Sequence, residues 1–127
     1  MTIPGNMERR ILVVDDEALV SDSICRILVL DHYVVETVTS AKDALAAFQL
    51  GKFDLVITDY EMADTKGDQL AAAIKAVAPE QPILMITAYG ENLRMAGSFP
   101  LAVDSVISKP FDVRDFREKV HQMATKK

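Results

Sequence analysis

Five times in this chain a short aliphatic run gives way to a helical pattern, and this alternation limits the fold more than any other feature. "RILVVD", "FDLVITD" and "PILMITA" are apolar on consecutive positions, as strands buried on both faces must be. "YVVETVT" and "VDSVISK" are rich in β-branched residues and read as two further strands. Alternating βα units with such strands predict an α/β fold. It is a doubly wound parallel sheet of five strands with helices on both faces.

Local signals place the helices. "EALVSDSICRILVLDH" carries Leu19, Val20, Ile24, Ile27 and Leu28 at the spacing of one helical face. Ser40, with Asp43 three residues on, opens a second helix that Gly51 closes. An alanine-rich helix runs from Gly67 to Ala78 and stops before Pro79. "GENLRMAG" is a short, weak helical pattern closed by Gly97 and Pro100, and Asp112 N-caps a last helix whose basic end suits the helix dipole. The 127 residues fit one domain, expected over 10–124, between a flexible N-terminus (1–9) and a short C-terminal end (125–127).

Composition removes several function classes. A net charge of −5 argues against binding to nucleic-acid or membrane phosphates, which would be repelled. The single cysteine, Cys25, rules out an intramolecular disulfide and reads as a small core residue. "MTIPGNMERR" lacks the apolar run of a signal peptide, and no apolar stretch approaches the roughly 18 residues that span a bilayer. A cytoplasmic location is expected. His32 and His121 lie near helix ends and read as surface groups.

Sheets of this kind bind ligands beyond the C-terminal ends of their strands. There the first strand ends in Asp15 and Asp16, the third in Asp59, the fourth in Thr87 and the fifth in Lys109. Two unit charges about 4 Å apart interact by about 4 kcal/mol at an effective dielectric near 20. Either water must therefore solvate the acids fully or a cation must neutralise them. Three carboxylates on neighbouring strand ends suit a hard dication, and Mg²⁺ fits because it takes one or two carboxylates and recruits phosphate oxygens. Lys109 beside such a metal implies a strongly anionic ligand such as a phosphoryl group. A carboxylate can itself be the nucleophile towards phosphorus.

The set "VVDDE", "DLVITDYEM", "ITAYG" and "SKPF" resembles the receiver domain of bacterial response regulators, over about Arg10 to Gln122. That resemblance implies a flavodoxin-like strand order 2-1-3-4-5 and a phosphoacceptor signalling domain rather than an enzyme with an external substrate. It implies Asp59 as phosphoacceptor, with Asp16, Asp59 and the Glu61 backbone carbonyl on Mg²⁺ and Asp15 on a metal-bound water. Lys109 would pair with Asp59 and then with the phosphoryl group, Thr87 would be the switch hydroxyl, and Pro110 would follow a cis peptide. Ala88 and Tyr89 would border the phosphoryl site. The implied partners are a sensor histidine kinase or phosphotransfer protein as donor and a downstream protein or output domain. A monomer is expected before phosphorylation.

Three departures accompany the resemblance. Val106 stands where relatives carry Tyr or Phe, and a stiff, small valine cannot act as a rotating aromatic switch. "MAGSFPLAV" is crowded with Gly97, Phe99 and Pro100 where relatives have a longer helix. Ala63 replaces a frequent proline, with little effect on the chemistry expected. Glu61 and Tyr89 lie two residues after Asp59 and Thr87, where they are expected to shield an acyl phosphate from water.

Other readings stay distinguishable by sequence. A pseudo-receiver would lack the nucleophile, the lysine or the acid pair, and all are present. An aspartate-nucleophile phosphatase would carry Asp rather than Glu61 two residues after the nucleophile. A flavin or nucleotide binder would need a phosphate-cradling first loop, and "DDEALVSD" presents three acids there instead.

Overall fold

The structure, a computed structural model, describes residues 9–88 and 102–125. Along the chain run β1 (Arg10–Val14), α1 (Ala18–Leu30), β2 (Val34–Val38), α2 (Ala41–Leu50), β3 (Leu55–Asp59), α3 (Gly67–Val77), β4 (Ile83–Thr87), β5 (Ser105–Ser108) and α4 (Val113–Ala124). The helix expected over residues 90–97, with Gly97, Phe99 and Pro100, lies outside the described residues. All strand pairs are parallel, in the order β2-β1-β3-β4-β5 that the resemblance implied.

Alternate residues of the central strands feed two cores. Ile11, Val13, Leu55, Ile57, Leu84 and Ile86 meet α1 and α4 through Ile24, Leu28, Phe116 and Val120. Leu12, Val14, Val56, Ile83 and Met85 meet α2 and α3 through Ala44, Leu70 and Ile74. This two-sided burial explains why β1, β3 and β4 are nearly continuous in apolar residues. The edge strand β2 is largely exposed and carries Glu36 and Thr37.

The helix boundaries follow local chemistry. Ser40 Oγ accepts the Asp43 N–H at 3.0 Å, and Asp112 Oδ1 accepts the Asp115 N–H at 3.1 Å. Gly51 ends α2 with φ −147°, an extended conformation that any residue adopts. Helix α1 closes differently. The Tyr33 and His32 N–H groups donate to Leu28 O and Val29 O, and His32 takes a left-handed φ of 71°.

Two expectations are corrected. Leu19, assigned to the buried face of α1, is 82% exposed, while Ser21 is buried. At 100° per residue, Leu19 falls about 140° from Ile24, off the stripe that Ser21, Ile24 and Leu28 share. Cys25, one step beyond Ile24, is only partly buried rather than a core residue.

Candidate functional site

The β1, β3, β4 and β5 register brings the chemistry-bearing residues to one end of the sheet. Val14 pairs with Thr58, Asp59 with Ile86, and Thr87 with Ser108. Asp15 and Asp16 follow β1, Asp59 and Thr87 close β3 and β4, and Lys109 follows β5.

Asp15, Asp16 and Asp59 each offer an oxygen, and these atoms all lie within 4.8 Å of one another. Asp15, Asp59 and Thr87 are buried, whereas Asp16 faces solvent. Lys109 Nζ stands 3.4 Å from Asp59 Oδ1. Backbone bonds hold these positions. Asp15 N–H donates to Val38 O, Tyr60 N–H to Ile86 O, and Lys109 N–H to Thr87 O at 2.8 Å. The Lys109–Pro110 peptide is cis.

The carboxylates are poised for a cation. Burial pushes Asp15 up from 3.8 to about 6, opposed by the Glu17 N–H at 2.9 Å, which stabilises its anion; the nearby Asp59 charge raises it further. Burial likewise raises Asp59 above the usual carboxylate range, while Lys109 pulls it down. One ammonium does not offset three acids. An all-oxygen donor set of this spacing and charge fits Mg²⁺.

The loop from β3 to α3 forms the rim. Glu61 pairs with Lys66, whose Nζ lies 2.5 Å from Glu61 Oε2, and the two residues form an isolated antiparallel bridge. Gly67 then starts α3 directly against the strand end. A Cβ there would overlap the Asp59 carbonyl oxygen and stand 3.0 Å from Tyr60 Cα. Ala88 is exposed just past Thr87, Pro110 is exposed past Lys109, and Val106 is half-buried on β5 beside Met85. Tyr89 lies outside the described residues.

Two anchors escaped sequence reasoning. Asp64 accepts the Ala41 and Lys42 N–H groups, so the β3–α3 loop caps α2 alongside Ser40. Ala63 N–H donates to Asp16 Oδ2 at 2.8 Å. Both join residues far apart in sequence, and no local pattern announces either bond.

Comparison with known proteins places this arrangement. A family model for the response regulator receiver domain matches residues 11–121. The Bacillus subtilis transcriptional regulatory protein ResD is 32% identical over 108 residues, covering 85% of this chain and 45% of that protein. The response regulator TrrA of Thermotoga maritima, solved in complex with Mg²⁺-BeF, is 33% identical with a TM-score of 0.83, covering 91% of this chain and 98% of that one. A CheY-like receiver domain from Methanospirillum hungatei is 30% identical, also with a TM-score of 0.83, covering 91% and 93%. The chain spans about half or less of the length of curated relatives such as ResD, PcoR and FleR.

Proposed function

The chain belongs to the response regulator receiver domain family, and from that premise we propose that Asp59 accepts a phosphoryl group in a Mg²⁺-dependent reaction. The observation that carries this reading is the convergence of Asp15, Asp16 and Asp59, with Lys109 Nζ 3.4 Å from Asp59. Residues 10–124 form the receiver domain. The donor is a phosphohistidine on a sensor kinase or phosphotransfer protein, and the setting is cytoplasmic.

An Asp59 oxygen attacks phosphorus and forms the new O–P bond. The P–N bond to the donor imidazole breaks, and its electron pair leaves with the imidazole, which takes up a proton. Lys109 exchanges its contact with Asp59 for one with a phosphoryl oxygen, where its charge offsets the charge that spreads in the transition state. Thr87 donates its hydroxyl to another phosphoryl oxygen. Asp16, Asp59 and the Glu61 carbonyl would hold Mg²⁺, with Asp15 reaching it through water, and the bound ion would supply further charge neutralisation. The domain catalyses only its own phosphorylation and dephosphorylation.

Phosphorylation then shifts the population between two conformations by as much as it differentially stabilises one. With Val106 at the aromatic position, the readout by a downstream partner or output domain does not use a rotating ring. Glu61, tethered by Lys66, and Tyr89 screen the acyl phosphate from water, so Tyr89→Ala shortens its lifetime. The unphosphorylated form is a monomer.

Intact mass after incubation with Mg²⁺ and acetyl phosphate tests the reading. A labile adduct of one phosphoryl group is expected on the wild type, absent with EDTA and absent from Asp59→Asn. An adduct that persists in Asp59→Asn would overturn the assignment.

A further inference from the structure

A backbone bond ties the Asp16 carboxylate, at the exit of β1, to the loop that carries Glu61, and it runs from Ala63 N–H to Asp16 Oδ2 at 2.8 Å. We propose that the Ala63 backbone N–H is a positioning group for the metal site. It orients the Asp16 carboxylate and clamps the β3–α3 loop onto the β1–α1 loop. The inference rests on the Mg²⁺ reading above and concerns how this chain prepares that site.

Asp16 needs such a clamp. Its carboxylate is exposed, unlike those of Asp15 and Asp59, so burial does not limit its rotamers. A hydrogen bond to one oxygen leaves the second oxygen and the remaining lone pairs for a cation. The three carboxylates converge to within 4.8 Å with this bond in place, so the bond and the convergent geometry are compatible. A charge-assisted bond is also stronger than a neutral one.

The clamp reaches a second ligand. Ala63 lies two residues past Glu61, in a loop fixed at its far side by the Glu61–Lys66 bridge and by Asp64 on the α2 N-terminus. Holding Ala63 against Asp16 therefore sets the spacing between the Asp16 carboxylate and the Glu61 carbonyl before any ion arrives. Pre-organisation of this kind lowers the cost of binding. It depends on a carboxylate at Asp16 and on any residue but proline at position 63, because proline has no N–H to donate; the clamp thus gives Ala63 a role that the sequence alone did not suggest.

The test is Mg²⁺ affinity by calorimetry for the wild type, Ala63→Pro and Ala63→Ser, with melting curves in EDTA to verify folding. Ala63→Pro is expected to bind Mg²⁺ roughly tenfold more weakly, and Ala63→Ser, which keeps the N–H, to match the wild type. Independently of any variant at position 63, the wild-type Ala63 amide should exchange slowly with solvent, with and without Mg²⁺, and lose that protection in Asp16→Ala. Equal affinities for the wild type and Ala63→Pro, or a fast-exchanging wild-type Ala63 amide, would overturn the clamp and leave the phosphoacceptor reading standing. A wild type that binds no Mg²⁺ would overturn both.

Discussion

Lys109 Nζ lies 3.4 Å from Asp59 Oδ1, so the fifth strand's exit delivers its ammonium to the third strand's carboxylate. The pair is largely buried on the Asp59 side and sits beside two further acids. That placement makes the lysine an electrostatic counterweight to the acids, and under the proposed phosphoacceptor role its value grows as phosphoryl charge enters the site.

Lys109→Met should therefore slow acetyl-phosphate-dependent labelling of Asp59 by on the order of 100-fold, as loss of one charge-stabilising donor does elsewhere. The time course of the phosphoryl adduct by intact mass measures this directly. A rate within twofold of the wild type would show that Lys109 does not stabilise the reaction.

The raised Asp15 carboxyl couples metal binding and stability to pH. Its folded value, about 6, exceeds the unfolded value of 3.8, so the folded state holds the proton more tightly. Without divalent metal, this group's contribution to stability is present below about pH 4 and is lost as pH rises through 6. Melting midpoints in EDTA should thus carry a component that falls between about pH 4 and 6 and levels off above that. Saturating Mg²⁺ should reverse that trend, because binding displaces the proton. Asp15→Asn should remove the EDTA component.

Gly67 is required by close approach to the backbone. A methyl group there meets the Asp59 carbonyl oxygen and Tyr60 Cα, neither of which can swing aside. Gly67→Ala should cost about 1–3 kcal/mol in urea unfolding. It should also slow Asp59 phosphorylation, because relief of the overlap displaces the end of β3.

His32 closes α1 in the left-handed region, with φ 71°. A residue with a Cβ is strained there by about 1 kcal/mol or more, and glycine is not. His32→Gly should raise stability by about 0.5–1 kcal/mol in the same unfolding assay. Because the site lies at the other end of the strands, the labelling rate of Asp59 should be unchanged.

Much of this protein is legible one segment at a time. Aliphatic runs of strand length, helical spacing, Ser40 and Asp112 as N-caps and Pro79 as a stop are local signals, and they produce the elements observed. The acids and the lysine at strand ends were legible for the same reason, since a parallel α/β sheet carries every such end to one edge. Leu19 shows the limit of local pattern. Its apolar character suggested burial, but the helix's rotation is set by which neighbours fill the core, and there Ser21 is buried instead.

What only the tertiary structure decided are the contacts between loops. The bonds from Ala63 to Asp16 and from Ala41 to Asp64 span 47 and 23 residues. The overlap that excludes a side chain at Gly67 arises because α3 begins against the backbone of β3. Periodicity and propensity report how a segment prefers to fold and which face it buries. They carry no information on which backbone N–H a distant carboxylate will meet, because the packing of separate βα units sets that distance.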